Sequence, residues 1–435
     1  MSPSLPPKAN LRQLHNQAKD LLKAHKQGHA SCCRVLRMLK PFEGKSDADI
    51  LAGEVSLTET QYALAMDYGF GSWAALKRHV LALVPHDPRS SIRRENGRVW
   101  LDNVLSLSWN LGKMTTFCGA LEASLAASPH PFSYDELMAF SGVAFRVRWH
   151  NESAERRWCT SCVVAEQPEE FDAIVKATGW PLPTAIQYGD PNPDKARIAA
   201  GIRAEIDAGR PVVAYDDTLN IAVAYGYTDD GESILFRTYA SGDTPHVVPV
   251  SKLGPQQTFL GAHDPGSSLR AAASDGLALA CRNWAWGRHA EGPAEYWYGA
   301  AAYDRWLEDL ALAGDLDPHQ AGALSWMNII VFGSLADARK AAVRFLRAQP
   351  AVFEGESIRT SLARAAALYD QHVAICDAAM RGPKGDDALG GAWYVPSTEF
   401  WLSHQVARQR AILPQLKELD AAAVQQLEKA LSAMA

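Results

Sequence analysis

The apolar positions of this chain fall first into helical and then into strand-like spacing. Leu11, Leu14, Ala18, Leu21 and Leu22 recur at i, i+3, i+7, i+10 and i+11, which is one face of a helix. Gly28 ends that run, and a second helix is expected from Ala30 to Leu39, stopped at Pro41. Ser56 or Thr58 caps a third helix, which carries Ala63, Leu64 and Met66. Tyr68-Gly69-Phe70-Gly71 closes it, and Ser72 opens a further helix with Trp73, Leu76 and Val80. The stretch 85–96, PHDPRSSIRREN, is polar and contains proline, and reads as a linker.

Beyond Gly97 the pattern mixes both periods. A helical run from Ala120 to Ala127 offers Leu121, Ala123, Leu125 and Ala126 as a buried face. Ser133 and Glu136 have capping-box spacing and open a helix over Tyr134–Phe140. Val143–Trp149 reads as strand, Phe171–Thr178 as helix, and Asp194–Ala208 as a helix marked by Ile198, Ile202 and Ile206. Four β runs come next: 211–215, 219–225, 233–239 and 246–250, with Asp229-Asp230-Gly231 as a hairpin turn. The last third is helical, over 267–284, 293–312, 318–349 (one helix or two, with Gly333 as the break), 358–380 and 398–434, where Pro414 is a kink or break. The expected fold class is α+β. The expected division is a disordered 1–9, a helical module 10–84, the linker 85–96, a helix-then-sheet domain 97–265, and an all-helical domain 266–435.

Composition narrows the function classes. The 435 residues suffice for two to four domains. A net charge of −6 argues against nucleic-acid partners and a polybasic membrane patch. No run of about 18 apolar residues occurs, so no membrane span or membrane partner is expected. The first twenty residues lack the apolar core of a signal peptide, and the expected location is cytoplasmic. Seven cysteines, an odd number, fit a reducing compartment rather than a disulfide framework. Cys159-Thr-Ser-Cys162 is a lone CxxC without further zinc ligands or a thioredoxin-like setting, so no metal or other cofactor is implied.

The chemistry centres on Cys118. In the first turn of its helix the sulfur would lie near unpaired N–H groups and the positive end of the dipole, which favour the thiolate. The competing reading is a small buried hydrophobe.

Three resemblances bear on this choice. QAKDLLKAHKQG, over 17–28, and Tyr68-Gly-Phe-Gly-Ser-Trp73 with Leu76-Lys77 resemble the short helical module found ahead of bacterial ankyrin-repeat domains. That module implies packing rather than catalysis, and no ankyrin repeat comes after it in this chain. Cys118-Gly-Ala, then Ser141-Gly-Val-Ala-Phe145, GIRAEIDAGRPVVAY, and Tyr225-Gly-Tyr227 with Asp229 resemble the papain-like superfamily. More closely they resemble C39-like peptidases and the N-terminal domain of butirosin biosynthesis H type acyltransferases, over roughly 97–262. PAEYWYGAAAYDRWLEDL and SLADARKAAVRFL resemble the helical part that accompanies that cysteine domain.

The resemblance implies a cysteine that attacks an acyl carbonyl, a histidine base at the start of the strand before the Gly-Tyr-Asp motif, and a third, orienting residue. It further implies a small-molecule or peptide substrate and an acyl-carrier protein as a candidate partner. The histidine position holds Asn220, which cannot accept a proton at neutral pH. The nearest histidine downstream is His246, and Asp243 is the nearest candidate orienting acid. Asn110 or Lys113 is a candidate oxyanion contact. Phe117, Phe145, Trp149, Tyr227, Tyr239 and Tyr298 are candidate lining residues. Tyr296, Trp297, Tyr298, Tyr303 and Trp306 form a stripe that reads as core or as the roof of a pocket beside Cys118. Two functions are implied: thiol-dependent acyl transfer or amide hydrolysis at Cys118, or a papain-like domain that has lost catalysis and binds a ligand between sheet and helices.

Overall fold

Ser133 with Glu136 forms the capping box that its spacing predicts, and Ser56, one of the two expected caps, forms a second with Glu59; each pair exchanges side-chain and backbone bonds. The computed structural model describes residues 5, 11–70, 73, 76–77, 80, 91–102, 104–107, 113–126, 128–150, 168–186, 194–217, 220–241, 244–291, 294–348, 353–380 and 403–434.

The N-terminal part comprises α1 (Leu11–Lys26), α2 (Cys33–Leu36), α3 (Asp47–Ala52) and α4 (Leu57–Asp67). The helix expected over 30–39 is shorter than its pattern suggests, because 3-10 turns occupy Ala30–Cys32 and Lys40–Phe42. Two small apolar clusters hold this part, one around Cys33, Leu36, Ile50 and Ala63, the other around Leu14, Ala65, Leu76 and Val80.

Next come β1 (Ile92–Glu95), β2 (Arg98–Leu101), α5 (Thr116–Leu125), α6 (Tyr134–Phe140), β3 (Arg148–Trp149), α7 (Pro168–Thr178), β4 (Thr184–Ile186) and α8 (Lys195–Asp207). Strands β5 (Val212–Tyr215), β6 (Ile221–Thr228), β7 (Ser233–Arg237), β8 (His246–Pro249) and β9 (Gln256–Thr258) complete the main sheet. The stretch read as a linker therefore ends in a strand. β1 and β2 form a hairpin across Asn96-Gly97, both with positive φ, at 52° and 71°. Val143–Phe145, read as strand, is a 3-10 turn, and only Arg148–Trp149 pair in a sheet.

The eight-stranded sheet runs β1-β2-β6-β5-β9-β4, with β7 also bonded to β6 and β8 beyond it. Its neighbouring strands pair antiparallel, which makes the chain a mixed α+β fold. β6 is buried along nearly its whole length, and both α5 and α8 pack against it. Gly226 lets β2 approach, since a Cβ there would lie 2.6 Å from the Val99 carbonyl oxygen.

The remaining elements are α9 (Leu269–Ala285), β10 (Arg288–Glu291), β11 (Ala294–Tyr298), α10 (Gly299–Ala311), α11 (Pro318–Ala348), α12 (Glu356–Met380) and α13 (Ser403–Met434). The helix expected from Pro293 begins at Gly299, and the aromatic run before it is β11, between β10 and β3. Gly333 does not break α11, and Pro414 lies inside α13. α11 is long and apolar enough to cross a bilayer, but 72% of that stretch is buried inside the protein. One hydrophobic core crosses the expected division near 265, joining Leu121, Phe140 and Val223 to Ala342, Phe345, Leu362 and Leu427.

Candidate functional site

Cys118 is the third residue of α5, after the N-cap Thr115, so it lies in the first turn as expected. The rest of that expectation fails on burial. The side chain is fully enclosed, and burial pushes the thiol well above its usual range, reinforced by Glu170 and opposed by Arg146. A helix N-terminus contributes about 0.3–1 kcal/mol to an anion and at most about 2. Full burial shifts an ionisable group by several units, each worth about 1.4 kcal/mol. Desolvation therefore wins, and Cys118 is held as a thiol. Among the described residues its sulfur makes no hydrogen bond.

The first turn of α5 faces the end of the sheet where β6 begins. The Tyr239 hydroxyl donates to the Thr116 carbonyl at 3.2 Å, and a Cβ on Gly119 would lie 2.0 Å from that hydroxyl. Tyr239 comes just after β7, whose Arg237 pairs with Val223 near the start of β6. Asn220 stands at that same end, one residue before β6. Its backbone N–H donates to Asp216 Oδ1 at 3.0 Å, and the Asp216 N–H returns to the Asn220 carbonyl at 2.9 Å, closing the β5–β6 turn.

His246 does not reach the thiol. Its Nε2 pairs with Asp217 Oδ1 at 2.7 Å on the surface, the side chain 36% exposed. Asp243 and Asn110 lie outside the described residues, as do Cys159 and Cys162. Lys113 is paired with Glu122. The same carboxylate supports the buried Lys77 of the N-terminal part, whose amine burial pulls down to about 8.

The expected lining residues scatter. Phe117 packs on Phe171, with centroids 5.8 Å apart, and Phe145 on Tyr369 at 5.8 Å. Trp149 stacks on Trp306 at 4.8 Å, and its Nε1–H donates to Asp309 at 2.7 Å. Tyr298 is fully buried against Trp286. These four are core. Tyr227 lies seven residues along β6 from Asn220, roughly 20 Å away, where its hydroxyl donates to Asp207 at 2.8 Å. Of these six only Tyr239 stands at the end of the sheet that the Cys118 helix faces, the end where Asn220 and the surface pair His246–Asp217 also lie.

The chain entering α5 is anchored from α11. Asp337 Oδ2 accepts from Met114 N–H at 3.0 Å and from the Tyr134 hydroxyl at 2.5 Å, while Thr115 N–H donates to Tyr134 at 3.0 Å. Burial raises Asp337 to about 6 against the pull of the Tyr134 bond. Two residues further, Arg339 donates to the carbonyls of Ala144 and Arg146 at 3.0 and 3.1 Å, fixing the 3-10 turn that precedes β3. Asp420 holds Arg339 through two bonds of 2.8 and 2.5 Å, and also accepts from Tyr303 at 2.8 Å.

Between these anchors lies a cleft lined by Thr115, Val143, Val147, Val331, Leu335 and Ala338, with Arg146, Arg148 and Ser334 as its other polar members. It encloses about 30 Å³ and extends to about 330 Å³ with the space open to solvent. Arg146 pairs with Glu170 at 2.5 Å, both buried. The Arg148 guanidinium lies 4.4 Å from the Tyr296 ring centre. Sequence reasoning missed these groups. Arg146 and Arg148 interrupt an apolar run, and Asp337 and Arg339 interrupt an apolar helix, which is the available signal. Among the described residues no group of three His, Cys, Asp or Glu has the makings of a metal site.

No protein-family model matches the chain, and no curated protein matches it.

Proposed function

We propose that this chain is a papain-like-fold protein that binds a small molecule or the end of a peptide between its sheet and its C-terminal helices, without thiol catalysis. The order of elements supports the papain-like reading: a cysteine in the first turn of a helix, packed on an antiparallel sheet at the end where β6 begins. The observation that carries the loss of catalysis is the enclosed Cys118, held as a thiol and hydrogen-bonded to no histidine among the described residues, with Asn220 where a base would stand. The cleft beside α5 supplies a polar pocket with apolar walls, as ligand sites commonly do. The N-terminal helices, which resemble the module ahead of ankyrin-repeat domains, serve as a packing unit against α5 through Lys77.

The second reading, acyl transfer with an acyl-carrier protein or peptide as donor, keeps one observation in its favour: Cys118 has the helical position of a nucleophile. A panel of thioesters and peptides offered to the native protein and to Cys118→Ala separates the two. The binding reading expects no turnover by either and unchanged ligand-induced stabilisation in the variant. Turnover that disappears with Cys118→Ala would overturn it.

A further inference from the structure

We infer that the junction between the N-terminal helices and α5 binds a small oxyanion, sulfate or inorganic phosphate, at Lys77 and Lys113, and that this anion clamps the two parts together. The site is separate from the cleft and stands whether or not the cleft takes a ligand. The helical turn that carries Trp73, Leu76, Lys77 and Val80 packs Leu76 and Val80 with Leu14 of α1 and Ala65 of α4. Lys77 instead lies beside Glu122 of α5. It is 4% exposed, and among the described residues its amine makes no hydrogen bond and no ion pair. An ammonium has three N–H donors and no acceptor, and burying one without a partner is costly.

The charge at the junction is positive. Glu122 is the acid beside Lys77, and it is already bonded to Lys113, both of those side chains mostly buried. One carboxylate thus serves two ammonium groups, and Lys113 repels Lys77. On the α1 side stands His15, whose imidazole is pushed down to about 4 by burial and then by Lys77 and Lys19, so it is neutral at pH 7. Its Nδ1 accepts from Gln61 at 3.3 Å, which leaves Nε2–H as a donor. Burial lowers Lys77 to about 8, so at pH 7 most of it is still ammonium. The junction therefore lacks one negative charge with several acceptor oxygens. A tetrahedral oxyanion supplies it. Its oxygens point apart and can meet Lys77 and Lys113, which come from different segments, and lysine binds such ions as a point charge. With so little of Lys77 exposed, a compact free ion fits better than a phosphate ester.

Calorimetry and thermal melts on the full chain with sodium sulfate, against sodium chloride at matched ionic strength, test this. At pH 7 sulfate is expected to stabilise the wild type saturably and more than chloride does, at concentrations too low for general stabilisation by exclusion. It is also expected to slow amide exchange in α1 and α5. Lys77→Met is expected to fold, since it removes an unpaired buried charge, and to lose at least about tenfold in sulfate affinity. Glu122→Gln, which frees both ammonium groups, is expected to bind sulfate about tenfold more tightly. Above about pH 8 the wild type must take up a proton on binding, so its affinity is expected to fall at least about tenfold between pH 7 and 9.5. Lys77→Arg, charged throughout, is expected to hold its affinity within about threefold over that range. Equal effects of sulfate and chloride overturn the site. So does sulfate affinity that is unchanged in Lys77→Met, or independent of pH in the wild type. Sulfate binding that slows exchange elsewhere, and not in α1 and α5, overturns its place at this junction.

Discussion

The hydroxyl of Tyr239 lies over Gly119, where a β-carbon would come within 2.0 Å of it. Glycine is therefore required beside Cys118 for packing, whatever the sulfur does. In a free helix Gly→Ala gains about 1 kcal/mol. Here Gly119→Ala is expected to cost about 1–3 kcal/mol through overpacking. Tyr239→Phe removes the clashing oxygen, so the double variant should be more stable than the sum of the single losses. Urea unfolding of the four proteins measures the coupling.

Asp337 provides a pH signature. Its folded value is raised to about 6 by burial, so the ionised form is disfavoured in the folded state. Its contribution is fully present below about 4, the unfolded value, and is lost as pH rises through about 6. Asp337→Asn keeps an acceptor for Met114 and Tyr134 without the charge. Thermal melts at pH 4 and 7.5 should show the variant gaining on the wild type at the higher pH, by about 1–3 kcal/mol. An identical pH dependence in the two proteins would count against a charged, buried Asp337.

The Arg339–Asp420 pair holds the cleft's floor from a distance. Asp420→Asn leaves Arg339 buried without its counter-charge and should cost about 3–5 kcal/mol in unfolding free energy. It should also weaken ligand binding in the cleft, because Arg339 fixes the carbonyls of Ala144 and Arg146. Stability and affinity are read on the same preparation, below the variant's melting temperature.

His246 is predicted to be dispensable. Its partner Asp217 and the imidazole are both partly exposed, and such pairs contribute about 0–1 kcal/mol. His246→Ala should unfold within about 1 kcal/mol of the wild type and leave ligand affinity unchanged, by calorimetry and urea titration.

Much of the fold was legible because local chemistry and tertiary structure agree. Ser56 and Ser133 cap the helices they precede, Gly28 and Gly69 turn where the periodicity ends, and Ile198, Ile202 and Ile206 face the core. The misreadings have physical causes. Ile92–Glu95 looks like linker because three of its four residues are exposed, as an edge strand permits, and only the Asn96-Gly97 turn betrays the hairpin. Tyr296, Trp297 and Tyr298 match a helical stripe, yet β11 pairs with β10 and β3, and Gly299, at φ 58°, breaks the run.

The candidate site was half legible. Sequence position fixed Cys118 in a first helical turn, but position carries no information on burial, which depends on α6, α7 and α11 closing over it. Trp149 and Phe145 look like pocket aromatics by proximity in sequence, and they pack on Trp306 and Tyr369, which come more than 150 residues later. Arg148 and Ser334 meet for the same long-range reason.

Site-resolved alkylation of the native protein from pH 5 to 9, read at each cysteine by mass spectrometry, tests the central claim most directly. The account predicts that Cys118 stays unlabelled across this range and reacts only when urea unfolds the chain. Labelling of Cys118 below pH 8, ahead of the other six cysteines, would contradict it and restore the thiolate nucleophile.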